Sequence, residues 1–155
     1  LTILIGKEIA KRAVALGMNV LAFDPVVNEC NIDGVKLTDI ESLAKNSDLI
    51  TINCPKTPST KNLINSTFIS KMKDGAAIIN CSRGGIVVEK DLADAMNSGK
   101  ISFAGIDVYE SEPAKDSPLF GLKEIVLTPH IGAQTKEGQI RVGTEVASVI
   151  NSFFN

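Results

Sequence analysis

Short apolar runs rich in β-branched residues alternate along this chain with amphipathic stretches of roughly ten residues. This alternation is typical of βαβ units, because two parallel strands need a helical crossover to connect them. The pattern therefore predicts an α/β fold with a doubly wound parallel sheet that is covered by helices on both faces. The predicted strands cover residues 1–4, 18–23, 48–54, 76–81, 101–108 and 125–127, and the predicted helices cover 6–17, 38–46, 65–72, 89–98 and 135–154.

The length and charge of the chain exclude several classes of protein. Its 155 residues suit one domain with a full core, and its net charge of -2 gives no excess of basic residues for binding nucleic acid or an anionic membrane. No apolar run approaches the roughly 20 residues that span a bilayer. Three cysteines without a CxxC pair argue against a zinc site or a disulfide framework. We therefore expect one domain over residues 1–155, without a metal, in a reducing cytoplasmic compartment.

Chemically active residues cluster where the predicted strands end. The carboxyl ends of parallel strands meet at one edge of the sheet, and ligands of doubly wound folds bind at that edge. This placement predicts a single site there. The strand-end segments are Asp24-Pro25, Cys54-Pro55, Cys81-Ser82-Arg83, Asp107-Val108 and Thr128-Pro129-His130.

Asp24 ends the second predicted strand, after a helix that begins with Gly6. An acidic residue at this position can accept hydrogen bonds from the ribose of an adenosine, and it repels a 2′-phosphate. Because residues 25–28 contain no Arg or Lys, NAD is favoured over NADP as the cofactor. The alternative interpretation is a turn aspartate before a proline.

The glycine-rich phosphate loop expected before that helix is incomplete. The motif G-x-G-x-x-G needs glycines where the backbone turns tightly and approaches a pyrophosphate. Counting back from Gly6, the first two glycine positions hold Leu1 and Ile3. We hypothesise that the segment from Leu1 to Leu4 is the first strand and that about four residues of the form G-x-G-x are absent between Leu4 and Ile5. Ile5 and Gly6 would then complete the cofactor loop.

Three further residues at this edge have the chemistry to act on a substrate. Arg83 precedes two glycines, and its planar guanidinium suits bidentate binding of a carboxylate. His130 is the only histidine, and Glu112 lies in the acidic segment after the fifth predicted strand. Hydride transfer to a 2-keto acid requires an Arg to bind the carboxylate, a His to move a proton and a Glu to keep that His protonated. Taken singly, the three residues are also consistent with a surface turn, a structural histidine and a solvated acidic loop.

Five segments of the chain look like sequence blocks of one family, in the order in which that family has them. Through these blocks the chain resembles the nucleotide-binding domain of the D-isomer-specific 2-hydroxyacid dehydrogenases. The resemblance implies a Rossmann-type domain that binds NAD and serves a small 2-hydroxy acid substrate. The blocks are residues 17–25 (GMNVLAFDP), 53–64 (NCPKTPSTKNLI), 72–96 (MKDGAAIINCSRGGIVVEKDLADAM), 105–113 (GIDVYESEP) and 127–139 (LTPHIGAQTKEGQ).

The resemblance also implies a role for each matching position. Arg83 would bind the substrate carboxylate and keto oxygen, and His130 would be the acid and base. Glu112 would pair with the histidine, and it is preferred to Glu110 because the family acid stands directly before a proline. The implied cofactor contacts are Asp24 at the ribose, Pro55 and Thr60 at the adenine and phosphates, Cys81, Ser82 and Asp107 at the nicotinamide, and Gly132 and Ala133 beside the cofactor. Arg83 and His130 are also expected to contact the cofactor, as are Ile5 and Gly6 of the hypothesised loop.

The resemblance implies further partners for the domain. The family has a second, substrate-binding domain, whose sequence is absent from this chain, so the isolated chain is expected to bind NAD but to lack most substrate contacts. The family usually forms dimers or larger assemblies through its cofactor domains, which implies a homodimer or a larger homo-oligomer. Transcriptional corepressors that share this fold retain the same Arg, Glu and His. A non-enzymatic NAD-sensing role therefore stands as the alternative to an enzyme.

Overall fold

The computed structural model describes residues 3–154, which form an α/β fold with parallel strands. Two strands, β1 and β2, pair in one sheet, and four strands pair in the order β3-β4-β5-β6 in a second sheet. The strands are β1 (Val20–Ala22), β2 (Val35–Leu37), β3 (Leu49–Ile52), β4 (Ala76–Asn80), β5 (Ile101–Ile106) and β6 (Ile125–Leu127). The helices are α1 (Ile3–Ala15), α2 (Ile40–Asn46), α3 (Ser66–Lys71), α4 (Glu89–Asn97) and α5 (Lys136–Phe154).

The central strand β4 is covered on both of its faces. Ala76, Ile78 and Asn80 are buried, and the alternating residues Ala77 and Ile79 are half-buried. Successive side chains of a strand point to opposite faces, so neither face of β4 is open to solvent. Coverage of this kind is typical of parallel sheets, whose helical crossovers lie against the sheet. The predicted α/β fold with a parallel sheet is confirmed.

The hydrophobic core lies between the four-stranded sheet and a layer of helices. α2 packs against α3, α3 against α4, and α4 against β5. Leu92 of α4 and Ile78 of β4 are fully buried at this interface, together with Ile86, Ile101 and Leu119. In contrast, α1 packs against β1, and α5 has no buried residue.

The prediction of a strand at the start of the chain is wrong for the residues that the structure describes. Ile3–Ala15 is one continuous helix, so Leu4 and Ile5 are consecutive helical residues with no break between them. Ion pairs at helical spacing favour the helix, because the Glu8 carboxylate pairs with Lys11 and Arg12, each at 2.7 Å. Leu1 and Thr2, which belonged to the predicted strand, lie outside the described residues.

Two other boundaries differ from the sequence pattern. The helix predicted from residue 38 begins at Ile40, because the Asp39 side chain caps it by accepting the amide of Ser42 at 2.8 Å. β2 (Val35–Leu37) is absent from the prediction. The remaining predicted strands and helices are present, each within a few residues of its predicted bounds.

Candidate active site

A carboxylate and an imidazole meet at the carboxyl edge of the sheet. Oε2 of Glu112 lies 2.7 Å from Nδ1 of His130, and Oε1 of Glu112 accepts the backbone amide of Tyr109 at 3.0 Å. The hydrogen bond with His130, followed by that from Tyr109, lowers the pKa of Glu112 below its ordinary value. With the carboxylate ionised, Nδ1 carries a proton and Nε2 is the ring nitrogen that can meet a ligand. The pair is therefore arranged to move a proton at Nε2.

Asp107 holds the segment that carries the histidine. It follows β5 and is buried, and its Oδ1 accepts the Thr128 hydroxyl and the amide of Ile131 while Oδ2 accepts the amide of Gly132, both amides at 2.8 Å. His130 itself has a φ of 57°, a left-handed conformation that costs energy in a residue with a side chain. The three bonds to Asp107 fix this conformation, so the carboxylate expected to contact the nicotinamide also orients the acid–base residue.

Those bonds also determine the charge of Asp107. Burial raises the pKa of its carboxyl, but the hydrogen bonds from Thr128, Ile131 and Gly132 outweigh burial and hold the pKa below its ordinary value. Asp107 is therefore ionised at neutral pH, and its hydrogen bonds to Thr128, Ile131 and Gly132 place its negative charge against the segment that carries His130.

Arg83 lies in the exposed turn after β4, and its guanidinium donates to the carbonyl oxygen of Ser82 at 2.6 Å. The next residue is Gly84, where an added Cβ would lie 1.6 Å from the carbonyl oxygen of Tyr109. Only glycine fits at this distance, and the Arg83 turn therefore lies directly against the segment that carries Glu112. The structure brings the turn of Arg83 to the same edge of the sheet as the Glu112–His130 pair.

Asn80 is a site-forming residue that the sequence analysis missed. Its side chain is buried at the end of β4, where Nδ2 donates to the carbonyl oxygen of Arg83 at 3.1 Å. Its Oδ1 accepts the amide of Ser82 at 3.1 Å and the hydroxyl of Ser82 at 2.9 Å. The amide side chain thus shapes the turn that presents Arg83. A polar residue at the end of an apolar strand was the available signal in the sequence.

A cavity of about 450 Å³ adjoins the Glu112–His130 pair. Its size is within the range of small-molecule sites. The other residues that line it are mainly apolar: Tyr109, Pro113, Ala114, Phe120 and Pro129.

The ends of β1 and β3 lie close together at the cofactor side of the edge. Asp24 follows β1, and its negative charge adds to partial burial in raising the pKa of Cys54, which follows β3. Oδ1 of Asp24 accepts the amide of Val26 at 3.0 Å, as a turn aspartate does. Among the described residues no hydrogen bond occupies Oδ2, so one carboxylate oxygen is available to a ribose. The structure therefore shows the turn interpretation of Asp24, and the ribose contact stays a prediction.

Thr60 and Pro55 form a closed turn. The Thr60 hydroxyl donates to the carbonyl oxygen of Pro55 at 2.7 Å and accepts the amide of Thr57 at 2.8 Å. The hydroxyl is thus engaged within the turn, and a cofactor contact from Thr60 is expected from its backbone or methyl group instead. Ser82 is engaged in the same way by Asn80, whereas Gly132 and Ala133 are exposed.

The cysteines are all free. Desolvation, and after it the charge of Asp107, raises the pKa of Cys81, so this exposed thiol is neutral at pH 7 and is not an activated nucleophile.

Within residues 3–154 no group of three His, Cys, Asp or Glu side chains gathers as a metal ion requires. No helix of that same part is long and apolar enough to cross a membrane.

Comparison with known proteins explains this combination of residues. The family model described as D-isomer specific 2-hydroxyacid dehydrogenase, NAD binding domain, matches residues 4–132. The chain belongs to this family. The matched region includes every strand of the described structure and all three residues Arg83, Glu112 and His130. The Rossmann-type fold and the NAD cofactor expected for the chain are thereby confirmed.

Two relatives within the family carry different names. A D-3-phosphoglycerate dehydrogenase of Archaeoglobus fulgidus is 47% identical over 149 residues, which cover 94% of this chain and 28% of the relative. A hydroxypyruvate reductase of Thermotoga maritima is 46% identical over 149 residues, which cover 94% of this chain and 48% of the relative. The chain therefore spans less than half the length of either relative.

A solved structure with a similar fold contains bound ligands. The D-lactate dehydrogenase of Aquifex aeolicus, whose crystal structure is complexed with NAD and lactic acid, superposes with a TM-score of 0.87 at 32% identity. The superposition covers 97% of this chain and 50% of that chain.

The residues of the present chain fit NAD at both ends of the cofactor. Oδ2 of Asp24 is available for a ribose at the end of β1, and the exposed backbone of Gly132 and Ala133 leaves room beside the Glu112–His130 pair. The pyrophosphate region departs from the glycine motif. Ile5 is 69% exposed on α1. Gly6 faces Asn53, because a Cβ placed on Gly6 would lie 3.7 Å from the Cβ of Asn53. The first turn of α1 thus lies beside the end of β3, but no glycine loop precedes it among the described residues.

Proposed function

We propose that this chain is the cofactor-binding domain of an NAD-dependent dehydrogenase that interconverts 3-phosphoglycerate and 3-phosphohydroxypyruvate, a reaction of serine biosynthesis. The observation that carries the reaction type is the 2.7 Å contact between Glu112 and His130, with Arg83 presented at the same edge. The choice of substrate is supported by the relative named D-3-phosphoglycerate dehydrogenase, at 47% identity.

Each of the three residues has a separate task in this proposal. The guanidinium of Arg83 binds the substrate carboxylate and holds the adjacent carbon in place. Nε2 of His130 takes the proton of the substrate hydroxyl, and in the reverse direction it returns that proton to the keto oxygen. Glu112 orients the ring through Nδ1 and stabilises the imidazolium that forms. NAD, when bound, supplies the hydride acceptor.

Residues on the cofactor side select and orient NAD. Asp24 accepts hydrogen bonds from the hydroxyls of the adenosine ribose, and its negative charge repels a 2′-phosphate. The turn from Pro55 to Thr60 borders the adenine and phosphates, and Cys81, Ser82 and Asp107 border the nicotinamide. Gly132 and Ala133 give the cofactor close access to the histidine, because Gly132 has no side chain, Ala133 has only a methyl group, and both are exposed.

The proposal assigns the remaining substrate contacts to a second domain. This chain spans 28% of the phosphoglycerate dehydrogenase relative, so recognition of the substrate phosphate is expected from sequence outside it. The isolated chain is then expected to bind NAD without turning over 3-phosphoglycerate.

Hydroxypyruvate reduction is the second candidate. It is favoured by the Thermotoga maritima relative, which is 46% identical and of which this chain covers a larger share, 48%. The two candidates share Arg83, Glu112 and His130 and differ in whether the substrate carries a phosphate. A glyoxylate reductase or another D-2-hydroxyacid dehydrogenase would use the same residues.

The deciding experiment uses the full-length protein that contains this chain. NADH formation with 3-phosphoglycerate, but not with glycerate, supports the first candidate. NADH oxidation with hydroxypyruvate or glyoxylate, and none with 3-phosphohydroxypyruvate, replaces it by the second. Tight NAD binding with no turnover of any 2-hydroxy acid would identify a non-enzymatic NAD sensor and would overturn both.

The proposal also includes a homodimer. α5 carries a row of apolar side chains that are at least half exposed, and a second copy would cover them. The row is Val142, Val146, Val149, Ile150 and Phe153, with exposed fractions of 61%, 53%, 63%, 54% and 81%.

A further inference from the structure

Glu89 is a buried acid for which the proposed reaction has no task. It is the first residue of α4 and is only 7% exposed. Two other polar or charged residues in the described part are also buried, and both shape the site: Asn80 supports the turn of Arg83, and Asp107 supports the segment of His130. A buried acid is costly unless its oxygens find donors, so the partners of Glu89 show what it stabilises.

Both partners of the Glu89 carboxyl belong to the segment between β5 and β6. Oε1 accepts the backbone amide of Glu110 at 2.6 Å, and Oε2 accepts the hydroxyl of Ser117. These two residues lie on either side of Glu112 in the sequence. One side chain therefore fixes the segment that carries Glu112 both before and after that residue.

The contact is reciprocal at the start of α4. The N-cap residue Val88 makes no side-chain cap, and the amide of Glu89 instead donates to Oε1 of Glu110 at 2.9 Å. Helix amides at the first turn need an acceptor, and a carboxyl there also interacts favourably with the helix dipole. The helix is itself anchored, because Leu92, Ala93 and Ala95 are buried. α4 is thus a rigid platform on which the Glu112 segment rests.

From this geometry we infer that Glu89 is a positioning residue, which sets Oε2 of Glu112 against Nδ1 of His130 without touching substrate or cofactor. The inference rests on the proposed function, in which that pair moves the substrate proton. The chain of contacts runs from Glu89 to Glu110 and Ser117, and from there through the backbone to Glu112. Loss of Glu89 would free the segment at both attachment points.

The tautomer of the histidine reports this positioning directly. His130 is the only histidine, so long-range ¹⁵N–¹H spectra of the chain show a single imidazole. When Oε2 of Glu112 is in place, the neutral ring carries its proton on Nδ1. We expect Glu89→Ala to give a mixture of Nδ1-protonated and Nε2-protonated rings, and we expect the same mixture for Glu112→Gln. Glu89→Gln should retain the wild-type tautomer, because its amide can accept from Glu110 and donate to Ser117.

Kinetics of the full-length protein give the second measurement. Glu89→Ala is expected to lower kcat about tenfold with little change in the KM for NAD, since misplacement of a catalytic pair affects the chemical step. Glu89→Gln should restore most of kcat. The control is Asp94→Asn on the same helix, which removes only the exposed ion pair with Lys90 and should leave both measurements unchanged.

Three outcomes separate this inference from the proposed function. If Glu112→Gln changes the tautomer and a folded Glu89→Ala does not, Glu89 is not a positioning residue, although the Glu112–His130 pair stands. If Glu89→Ala does not fold, Ser117→Ala removes one attachment alone, and an unchanged tautomer in that variant overturns the inference. If the tautomer shifts as expected but the full-length protein turns over no 2-hydroxy acid, the positioning is supported and the proposed reaction fails.

Discussion

Gly84 and Tyr109 approach each other so closely that a Cβ on Gly84 would lie 1.6 Å from the Tyr109 carbonyl oxygen. Gly84→Ala must therefore push apart the turn of Arg83 and the segment of Glu112. We expect a loss of about 1–3 kcal/mol in the free energy of unfolding, as for other overpacked sites. Urea denaturation measures it.

A glycine in open space provides the matched control for this substitution. An added Cβ on Gly143 of α5 meets nothing within 4 Å. Gly143→Ala should be neutral or stabilising by up to about 1 kcal/mol, because alanine is the better helix former. Equal effects of the two substitutions would show that the contact between Gly84 and Tyr109 is not tight in solution.

His130→Ala should abolish proton transfer while leaving the NAD site intact. In the full-length protein we expect turnover to fall by about 10²–10⁴-fold, the usual contribution of a positioned acid–base group. The dissociation constant for NAD, measured by calorimetry, should change by less than about threefold. A variant that remains fully active would rule out His130 as the acid and base.

Asp24→Ala should weaken binding of NAD more than binding of NADP, because it removes an acceptor for the ribose hydroxyls and a charge that repels the 2′-phosphate. The expected loss of NAD affinity is about tenfold, as for one hydrogen bond to a charged group. Asp48→Asn is the control, since Asp48 precedes β3 at the opposite edge of the sheet and pairs with Lys73. Equal losses for both cofactors would place Asp24 outside the ribose site.

Asp107 should make the stability of the domain dependent on pH. Its pKa in the fold lies below the ordinary value, so the carboxylate stabilises the fold above the unfolded pKa of about 3.9 and this stabilisation is lost as the pH falls through the folded pKa. Asp107→Asn should cost about 2 kcal/mol at pH 7, because an amide cannot accept all three donors.

The test of that prediction is urea unfolding between about pH 7 and pH 3. The free energy of unfolding should fall less steeply with acidification in Asp107→Asn than in the parent chain. The lowered pKa of Glu112 acts with the same sign and remains in the variant. Asp116→Asn, at an exposed position, serves as the control. Parallel pH profiles for all three proteins would contradict the role of Asp107.

Val149→Glu should disrupt the proposed homodimer, since it places a charge within the apolar row of α5. Sedimentation velocity should show at least a tenfold weaker dimer, in line with a buried charge that has no partner. Ser148→Glu places the same charge at the neighbouring, polar position of the helix and should leave the association unchanged. A monomeric parent protein would refute the dimer itself.

Much of the fold follows from local sequence patterns. The strands β3 to β6 and the helices between them lie where apolar runs and helical periodicity predict them, because burial on both faces of a parallel sheet demands continuous apolar segments. The placement of Arg83, Glu112 and His130 at one edge follows from the same pattern, since parallel strands all end on one side. The start of the chain was predicted wrongly because an isolated four-residue apolar run does not distinguish a strand from the first turn of a helix.

The tertiary structure alone decided how those residues are held. The sequence places Asp107 at a strand end, but only the fold shows its two oxygens bound to three donors from residues 128–132. The same holds for Glu89, whose partners lie 21 and 28 residues away. Hydrogen bonds between distant segments leave no periodicity in a sequence, because their geometry depends on how the sheet and α4 pack. The sequence determined which reactive side chains lie at the carboxyl edge of the sheet. The packing of the sheet and α4 determined which hydrogen bonds orient those side chains.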